Sequence, residues 1–218
     1  MSVADRRRLA DQALDFSING CERLADGFRP LDRFIVSYDS LDGTRRYENV
    51  GREVLRCRSA AIILPYDPVR DAIVLIRQFR IGAALMTPGA APLELPAGLI
   101  DDGERTADTA AREMREETGL EALAIAPIFS ALSSPGLCDE MLHYFMAIVD
   151  ASRLPLSAGL AEEHEDILPF AAPVAPLLEA MDEGKLMNGP LITALHWFDR
   201  KGRPMARVLA DSITGTPS

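Results

Sequence analysis

Three glutamates in one short acidic stretch are the residues of this chain best suited to metal-assisted chemistry. Glu113, Glu116 and Glu117 are spaced at i, i+3 and i+4, so a helix presents all three carboxylates on one face. Like charges this close repel one another on a solvated helix, whereas hard divalent cations such as Mg²⁺ bind oxygen ligands of this kind. The spacing therefore indicates a cation site. The helix alone leaves one alternative open, an exposed charged face that Arg112 and Arg115 partly neutralise.

The residues around these glutamates have the signals of a loop that enters and then leaves a helix. Residues 101–104 (DDGE) predict a turn followed by an acidic first helical turn, which suits the positive end of the helix dipole. Ala110 and Met114 supply part of a packing face. Gly119 is placed to end the helix, because glycine readily takes the left-handed conformation found at helix C-termini. A loop, a helix and a second loop are therefore predicted in succession.

The complete stretch from Gly98 to Leu120, GLIDDGERTADTAAREMREETGL, resembles the Nudix box at every defining position. The resemblance implies an α/β/α sandwich with a mixed sheet, and hydrolysis of a nucleoside diphosphate linked to another group. It also implies roles for the residues of the box. Metal ligands would be Glu113, Glu116 and Glu117 with the backbone carbonyl of Ala97; Glu116 would also be catalytic, Arg112 would orient the glutamates, Glu104 would brace the helix, and Gly98 and Gly119 would shape the backbone.

The sequence on either side of the box resembles one Nudix subfamily, the ADP-ribose pyrophosphatases. The resemblance lies in the segments 60–80, 93–98 and 159–197, and in Pro135, which stands fifteen residues after Leu120. It implies hydrolysis of ADP-ribose to AMP and ribose 5-phosphate, with two or three Mg²⁺ ions, or Mn²⁺, in each site. Another nucleoside diphosphate sugar, such as GDP-mannose or ADP-glucose, is the nearest alternative substrate. A domain that binds ADP-ribose without cleaving it is a further alternative, which the complete set of box glutamates disfavours.

A polar segment after the box carries two more glutamates to which the resemblance gives roles. Glu163 would be the general base that takes a proton from the attacking water, and Glu165 would contact a third metal ion. A carboxylate suits this work, because metal-bound water already has a lowered pKa and needs only a weak base. A solvated acidic loop is the alternative for this segment. Glu140 is the rival candidate for the base, and otherwise helps to place the terminal ribose.

Substrate contacts are also implied by the resemblance. Arg52 and Arg80 match arginines that hold phosphates and adenine-side groups, a task that suits the bidentate guanidinium. Phe28 matches an aromatic residue that stacks on adenine, although a hairpin core residue is the alternative. Cys57 stands where the subfamily has a further arginine, and its neighbours Arg56 and Arg58 would point to the opposite face of a strand. The remaining expected contacts are Leu99, Ser134, Gly136 and Glu140.

The N-terminal part of the chain, residues 1–57, is predicted to form an arm and a small antiparallel β unit. Residues 1–17 form a short helix or a loosely held arm. Strands are predicted at 33–38, 44–50 and 53–57, with a hairpin turn at 41–43. A unit this small needs a partner surface for stability. The subfamily resemblance implies that it pairs across a two-fold axis, which gives a homodimer with shared active sites.

Residues 58–204 are predicted to form the main hydrolase domain. Strands are expected at 60–65, 72–79, 125–131, 142–149 and 167–170, and a Gly-, Ala- and Pro-rich loop at 82–92. Helices are expected at 174–182, where Gly184 follows the end, and at 191–198. The last segment, 205–218, carries little pattern and is expected to be a frayed tail.

The composition and net charge of the chain argue against several classes of protein. A formal net charge of −10 over 218 residues argues against general nucleic-acid binding. The sequence has no apolar run near the roughly 20 residues that span a bilayer, and its start is too polar for a secretory signal. Three widely spaced cysteines favour neither a disulfide framework nor a zinc site. These features predict a cytoplasmic protein with neither nucleic-acid nor membrane partners, and the resemblance implies a nucleoside diphosphate sugar substrate as its partner.

Overall fold

The computed structural model describes residues 9–159 and 166–214. The chain divides into two compact units. The first comprises the described residues up to Cys57 together with Ser134–Asp139, and the second comprises the described residues from Arg58 to Ser133 and from Glu140 onwards. Each unit has its own sheet.

The described residues of the first unit form a three-stranded antiparallel sheet. Its order is β1 (Phe16–Ala25), β2 (Leu31–Asp39) and β3 (Arg46–Leu55). The turn between β2 and β3 is closed by Asp42, whose carboxylate accepts hydrogen bonds from Ser40 and Thr44, and Gly43 there has a φ of 68°. The predicted hairpin is therefore present, and the strands predicted separately at 44–50 and 53–57 are one strand, β3.

β1 covers Phe16–Ala25, a segment for which almost no strand was predicted. Of the helix or arm predicted for residues 1–17, residues 9–15 form neither helix nor strand, and residues 1–8 lie outside the described residues. Most residues of β1 are exposed, so hydrophobic alternation along the strand is weak. Its backbone is instead ordered by a ladder with β2, from Phe16 opposite Tyr38 to Ala25 opposite Leu31. Backbone pairing without burial leaves little trace in the hydrophobic pattern of the strand, and this is why sequence analysis missed it.

In the described part of the second unit, seven strands form a mixed sheet in the order β10-β5-β4-β9-β8, with β6 beside β5 and β7 beside β4. β4 and β9 run parallel, and the other pairs are antiparallel. The strands are β4 (Ala60–Asp67), β5 (Ala72–Arg77), β6 (Leu93–Glu94), β7 (Ala97–Leu99), β8 (Ala124–Leu132), β9 (Met141–Ile148) and β10 (Leu168–Pro173).

The helices of this unit are α1 (Ile81–Met86), α2 (Thr106–Thr118), α3 (Val174–Asp182), α4 (Gly189–Trp197) and α5 (Arg203–Thr214). A 3₁₀ turn covers Ala151–Arg153, and a π-helical turn, Phe198–Gly202, joins α4 to α5. Among these described helices, none is long and apolar enough to cross a membrane.

Two cores lie on opposite faces of this sheet, because alternate residues of a strand point to opposite sides. In β4, Ala61 and Ile63 join the core on the side of α2, while Ile62 and Leu64 join the core on the side of α4. Burial on both faces explains why the strand is a continuous apolar run. Helices thus cover both faces of a mixed sheet, and the predicted α/β/α sandwich is confirmed, with the small antiparallel sheet as a separate unit.

Two further elements differ from the predictions. α1 occupies part of the predicted loop at 82–92; its residues favour helix, but none of them is buried. α5 occupies residues 203–214, where a frayed tail was expected from 205. Its first residue explains the difference, because the Arg203 guanidinium donates to both carboxylate oxygens of Asp71 at 3.1 and 2.8 Å. The Tyr66 hydroxyl donates to the same carboxylate at 2.7 Å.

Gly202 is expected to be essential for the packing of the turn before α5. A Cβ added there would lie 2.1 Å from Cδ2 of the buried Phe198 ring. Gly202→Ala should therefore lower the free energy of unfolding by roughly 1–3 kcal/mol, measured by urea denaturation. Gly189→Ala is the matched control, since a Cβ at Gly189 meets nothing within 4 Å. Equal stability of the two variants would contradict this account.

Candidate active site

The face of α2 that carries the three box glutamates is packed against β7. Glu117 is 3% exposed, and its Oε2 accepts the backbone N–H of Ala97 at 2.8 Å. β7 itself is held by β4, with Ala97 opposite Ile62. The structure thus brings two of the predicted metal ligands together, through the N–H of Ala97, whereas the sequence analysis expected its carbonyl to be the metal ligand.

Gly98 lies against the carboxylate of Glu113. An ideal Cβ at Gly98 would stand 1.9 Å from Cδ of Glu113 and 2.0 Å from its Oε1. No side chain fits in that space while Glu113 keeps its position. Glycine is therefore required here by the close approach of a side chain to the backbone.

Arg112 lies at the centre of the carboxylate cluster. Its guanidinium donates to Oε1 of Glu113 at 2.7 Å, to Oε2 of Glu116 at 3.1 Å, and to the carbonyl of Leu99 at 3.4 Å. It also donates to both oxygens of Glu104, at 3.2 and 3.1 Å. These carboxylates, Glu104 first, raise the pKa of Arg112 above its ordinary value. One arginine therefore links two box glutamates to the loop before the helix.

Glu104 is the strongest partner of this arginine. The hydrogen bonds from Arg112, followed by one from Thr109, lower the pKa of Glu104 to about 2. The Asp101 N–H also donates to its Oε2, at 3.3 Å. Glu104 therefore remains ionised at all but very acidic pH, and it fixes the guanidinium from the side opposite the helix glutamates.

This shift predicts a pH-dependent contribution of Glu104 to stability. Because the pKa is lower in the folded chain than the ordinary 4.5, the ionised group stabilises the folded state above about pH 4.5, and the contribution is lost as the pH falls towards about 2. The difference in unfolding free energy between the wild type and Glu104→Gln should therefore be largest near pH 6 and shrink towards pH 2. Urea titrations across this range measure it, with Glu121→Gln as control. A difference that does not vary with pH would contradict the assignment.

The donor types in this cluster fit a hard cation. Carboxylate and carbonyl oxygens are the ligands that Mg²⁺ prefers. As placed, however, the side chains of Glu113 and Glu116 are bonded to Arg112. In the part of the chain that the structure describes, no group of three or more His, Cys, Asp or Glu side chains is arranged to hold a metal ion. The chemistry of the site therefore suits Mg²⁺, and its oxygens are not gathered at one point.

The C-terminal end of α2 fixes the chain that leads towards the two loop glutamates. Gly119 ends the helix with a φ of 68°, and a Cβ there would lie 2.9 Å from Cγ of Pro155. The Gly159 N–H donates to the carbonyl of Glu116 at 3.1 Å. Ala158 and Ile167 exchange two backbone hydrogen bonds, of 3.0 and 3.3 Å. The two ends of segment 160–165 are thus held together beside α2. Glu163 and Glu165 themselves lie outside the described residues.

Arg80 is held by two residues that sequence analysis did not single out. Its guanidinium makes a bidentate contact with Glu94, at 2.8 to 3.2 Å, and Asn188 donates to the same carboxylate at 3.2 Å. The signal for Glu94 was weak, a single acid between two leucines in a short apolar strand. Asn188 lies between Gly184, which follows the first predicted helix, and the start of the second. Asparagine is a common N-cap residue in such a position.

The other predicted substrate residues divide between the two units. Phe28 is 86% exposed, so it is not a hairpin core residue. Arg52 lies in β3, and its guanidinium donates to the Tyr38 hydroxyl at 3.2 Å. Cys57 donates its backbone N–H to Asp139 at 2.7 Å. The first unit also contains Ser134 and Gly136, whereas Leu99 and Glu140 belong to the second.

Comparisons with known proteins agree with this geometry. Residues 56–187 match the NUDIX domain family. The ADP-ribose pyrophosphatase of Escherichia coli (strain K12) is 37% identical over 184 residues, which cover 84% of this chain and 88% of that protein. The GDP-mannose pyrophosphatase of Cronobacter sakazakii (strain ATCC BAA-894) is 30% identical over 186 residues, 83% of this chain and 96% of that protein.

The fold is also shared with a solved structure described as an ADP compounds hydrolase. The TM-score is 0.64 at 22% identity, covering 88% of this chain and 100% of that one. With the box glutamates on a helix packed against β7, and the family match across most of the chain, the protein belongs to the NUDIX domain family.

Proposed function

We propose that this protein is a Nudix pyrophosphatase that hydrolyses ADP-ribose to AMP and ribose 5-phosphate. The observation that carries the proposal is the face of α2, where Glu113 and Glu117 are seated against β7 and Arg112 bonds to Glu113 and Glu116. The identity to a protein named ADP-ribose pyrophosphatase supports the choice of substrate. Carboxylates of this kind bind divalent cations, and bound cations in turn neutralise the charge of a diphosphate substrate.

Family members generally use divalent metal ions. Mg²⁺, or Mn²⁺, is proposed here, with two or three ions held by Glu113, Glu116, Glu117, Glu165 and the carbonyl of Ala97. Bound cations would neutralise charge on the diphosphate and lower the pKa of the attacking water. The remaining chemistry belongs to the side chains of the protein itself.

Glu163 is assigned the role of general base, which takes a proton from the attacking water. Support comes from the ends of its segment, which are joined at Ala158 and Ile167 and bonded to the backbone of α2 at Glu116. The described residues on both sides of Glu163 are therefore tied to each other and, through Gly159, to the helix that carries the box glutamates. Arg112 keeps the helix glutamates oriented, and the Ala97 N–H keeps Glu117 in place.

Substrate binding is assigned to two arginines and an aromatic side chain, together with four further residues. Arg80 and Arg52 are proposed to hold the diphosphate and the adenine side, and the exposed Phe28 ring to stack on adenine. The remaining contacts are proposed for Leu99, Ser134, Gly136 and Glu140.

A homodimer with shared active sites is proposed as the assembly. The first unit supports this, because its sheet of three strands exposes the apolar side chains of Phe16 and Ile18 as well as that of Phe28. Exposed apolar side chains of this kind mark interaction surfaces when they form a patch.

Mixing two inactive variants tests the shared site. If Arg52 serves the partner's box, a heterodimer of Arg52→Ala and Glu117→Gln chains has one intact site and one site with both lesions. Heterodimers purified through two affinity tags should therefore have about half of the wild-type activity, whereas each variant alone stays inactive. No restoration in purified heterodimers would show that each site is built within one chain.

Hydrolysis of GDP-mannose is the second candidate function. The observations that favour it are the relative named GDP-mannose pyrophosphatase and the cysteine at position 57, where the resemblance expects an arginine. The chemistry at the phosphates would be the same, and the contacts with base and sugar would differ.

A turnover screen decides between these candidates. Purified protein is tested with Mg²⁺ and then Mn²⁺ against ADP-ribose, GDP-mannose, ADP-glucose and diadenosine polyphosphates, with products identified by chromatography. The highest kcat/KM is expected for ADP-ribose, with AMP and ribose 5-phosphate as products. A higher value for GDP-mannose would establish the second candidate, and tight binding of ADP-ribose without turnover would indicate a sensor.

A cytoplasmic enzyme without nucleic-acid or membrane partners is proposed.

A further inference from the structure

A buried carboxylate, Glu94, lies behind the proposed phosphate-binding arginine. Glu94 is 7% exposed and lies in β6, opposite Ile76 of β5. Both of its oxygens accept hydrogen bonds from Arg80, at distances from 2.8 to 3.2 Å. Burial of an ionised carboxylate is costly unless it is paired in this way, so the pair constrains the plane of the guanidinium.

Asn188 bonds to the same carboxylate and to a helix. Its Oδ1 accepts the N–H of Leu191 at 2.9 Å and so caps the first turn of α4. Its Nδ2 donates to Oε1 of Glu94 at 3.2 Å. The side chain therefore joins the start of α4 to the carboxylate that holds Arg80.

The choice of asparagine at this position has a physical reason. Aspartate and serine cap helices about as well as asparagine does. Neither has an amide N–H: aspartate would place a second negative charge beside Glu94, and serine is one atom shorter. The N-cap alone thus does not require asparagine, whereas a cap that also donates to a carboxylate does.

Arg80 retains hydrogen-bonding capacity beyond this network. Its backbone is fixed by Ala90, which accepts its N–H at 2.8 Å, and by Ala84, whose N–H donates to its carbonyl at 3.0 Å. Its side chain is 46% exposed. Nε and Nη2 bond to Glu94, while Nη1 has no hydrogen-bond partner among the described residues. An exposed, oriented Nη1 suits an anionic oxygen of a substrate.

We infer that Asn188 and Glu94 are positioning residues that hold the Arg80 guanidinium in the orientation that receives a phosphate oxygen of the substrate. Glu94 fixes the inner edge of the guanidinium, and Asn188 fixes Glu94. This inference rests on the proposed function for its substrate, and on the described hydrogen bonds alone for the ordering of Arg80.

Variants at Asn188 separate positioning from capping. Asn188→Asp and Asn188→Ser keep a cap and lose the amide donor, whereas Asn188→Ala loses both. Asn188→Asp and Asn188→Ser should raise KM for ADP-ribose about 3- to 10-fold with kcat near the wild-type value. The change in Tm should be small for Asn188→Ser and larger for Asn188→Asp, which places a second negative charge beside Glu94. In an Arg80→Ala background, the same substitutions should leave KM unchanged, because the arginine that they position is absent. A purely structural role would lower Tm and leave KM alone.

A spectroscopic measurement tests the ordering without any turnover. The Nε–H signal of Arg80 in ¹H–¹⁵N spectra of the full chain, assigned with Arg80→Lys, should exchange slowly with water in the wild type. It should broaden or exchange rapidly in Asn188→Asp and in Glu94→Gln. An unchanged Nε–H signal in Asn188→Asp would overturn the inference. If none of the nucleotides is hydrolysed but the Nε–H signal still depends on Asn188, the proposed function fails and the positioning of Arg80 stands.

Discussion

Replacement of Glu117 by glutamine is expected to lower kcat for ADP-ribose by about 10³-fold or more. Glutamine keeps the shape of the side chain and an oxygen that accepts the Ala97 N–H, so the packing of α2 on β7 should persist. What is lost is one negative charge among the three carboxylates of a proposed cation site. Loss of like-charge repulsion should also raise, or leave unchanged, the Tm of the metal-free protein.

Three measurements on this variant separate the metal site from the fold. Steady-state kinetics give kcat, Mn²⁺ titration followed by electron paramagnetic resonance gives cation affinity, and calorimetry gives Tm. Glu121→Gln makes the same chemical change just beyond α2, on an exposed side chain, and should behave as wild type. Near-normal turnover of Glu117→Gln with Mg²⁺ would show that Glu117 is not a metal ligand.

The second large effect is expected from Glu163→Gln. A general base typically contributes about 10²–10⁴-fold to the rate, so kcat should fall by about that factor. KM and the Mg²⁺ concentration for half-activity should change little, because a base that is not a metal ligand leaves cation binding intact. The ratio of the effects on kcat and on Mg²⁺ dependence is therefore the decisive measurement.

Glu165 and Glu140 provide the matched comparisons for Glu163. Glu165→Gln should shift the Mg²⁺ dependence more than it lowers kcat at saturation, and Glu140→Gln should mainly raise KM. If Glu140→Gln showed the pure loss of kcat and Glu163→Gln were almost silent, the base would lie in the segment that follows Pro135. All of these variants keep the shape of the side chain, so a change in folding is not expected to obscure the result.

Much of the second unit could be predicted from sequence because its signals are local. The apolar run in β4 and the three glutamates at helical spacing depend only on residues a few positions apart. The resemblance to the box implied that Gly98 shapes the backbone, and the structure adds the reason, since Gly98 lies against Glu113. A sequence pattern can reveal an element when the residues that determine it lie within the same short stretch of chain.

The elements that were missed or mistaken depend on partners outside their own stretch of sequence. β1 is ordered by its ladder with β2, and α5 by the ion pair of Arg203 with Asp71, 132 residues away. The network that holds Arg80 joins residues 94 positions apart at its longest step, from Glu94 to Asn188. Local propensity carries no information about such contacts. The residues that position a candidate site are therefore harder to predict than the site residues themselves.

The contact between Gly98 and Glu113 has a consequence for how the site can vary. A side chain at position 98 would fill the same volume as the carboxylate of Glu113, so the presence of one excludes the other. A library that randomises positions 98 and 113 together should therefore return active clones with glycine at 98 whenever glutamate stands at 113. Larger residues at 98 should appear only beside a shortened residue at 113, in folded but inactive clones. The two positions form a single unit of selection, although they lie fifteen positions apart in the chain.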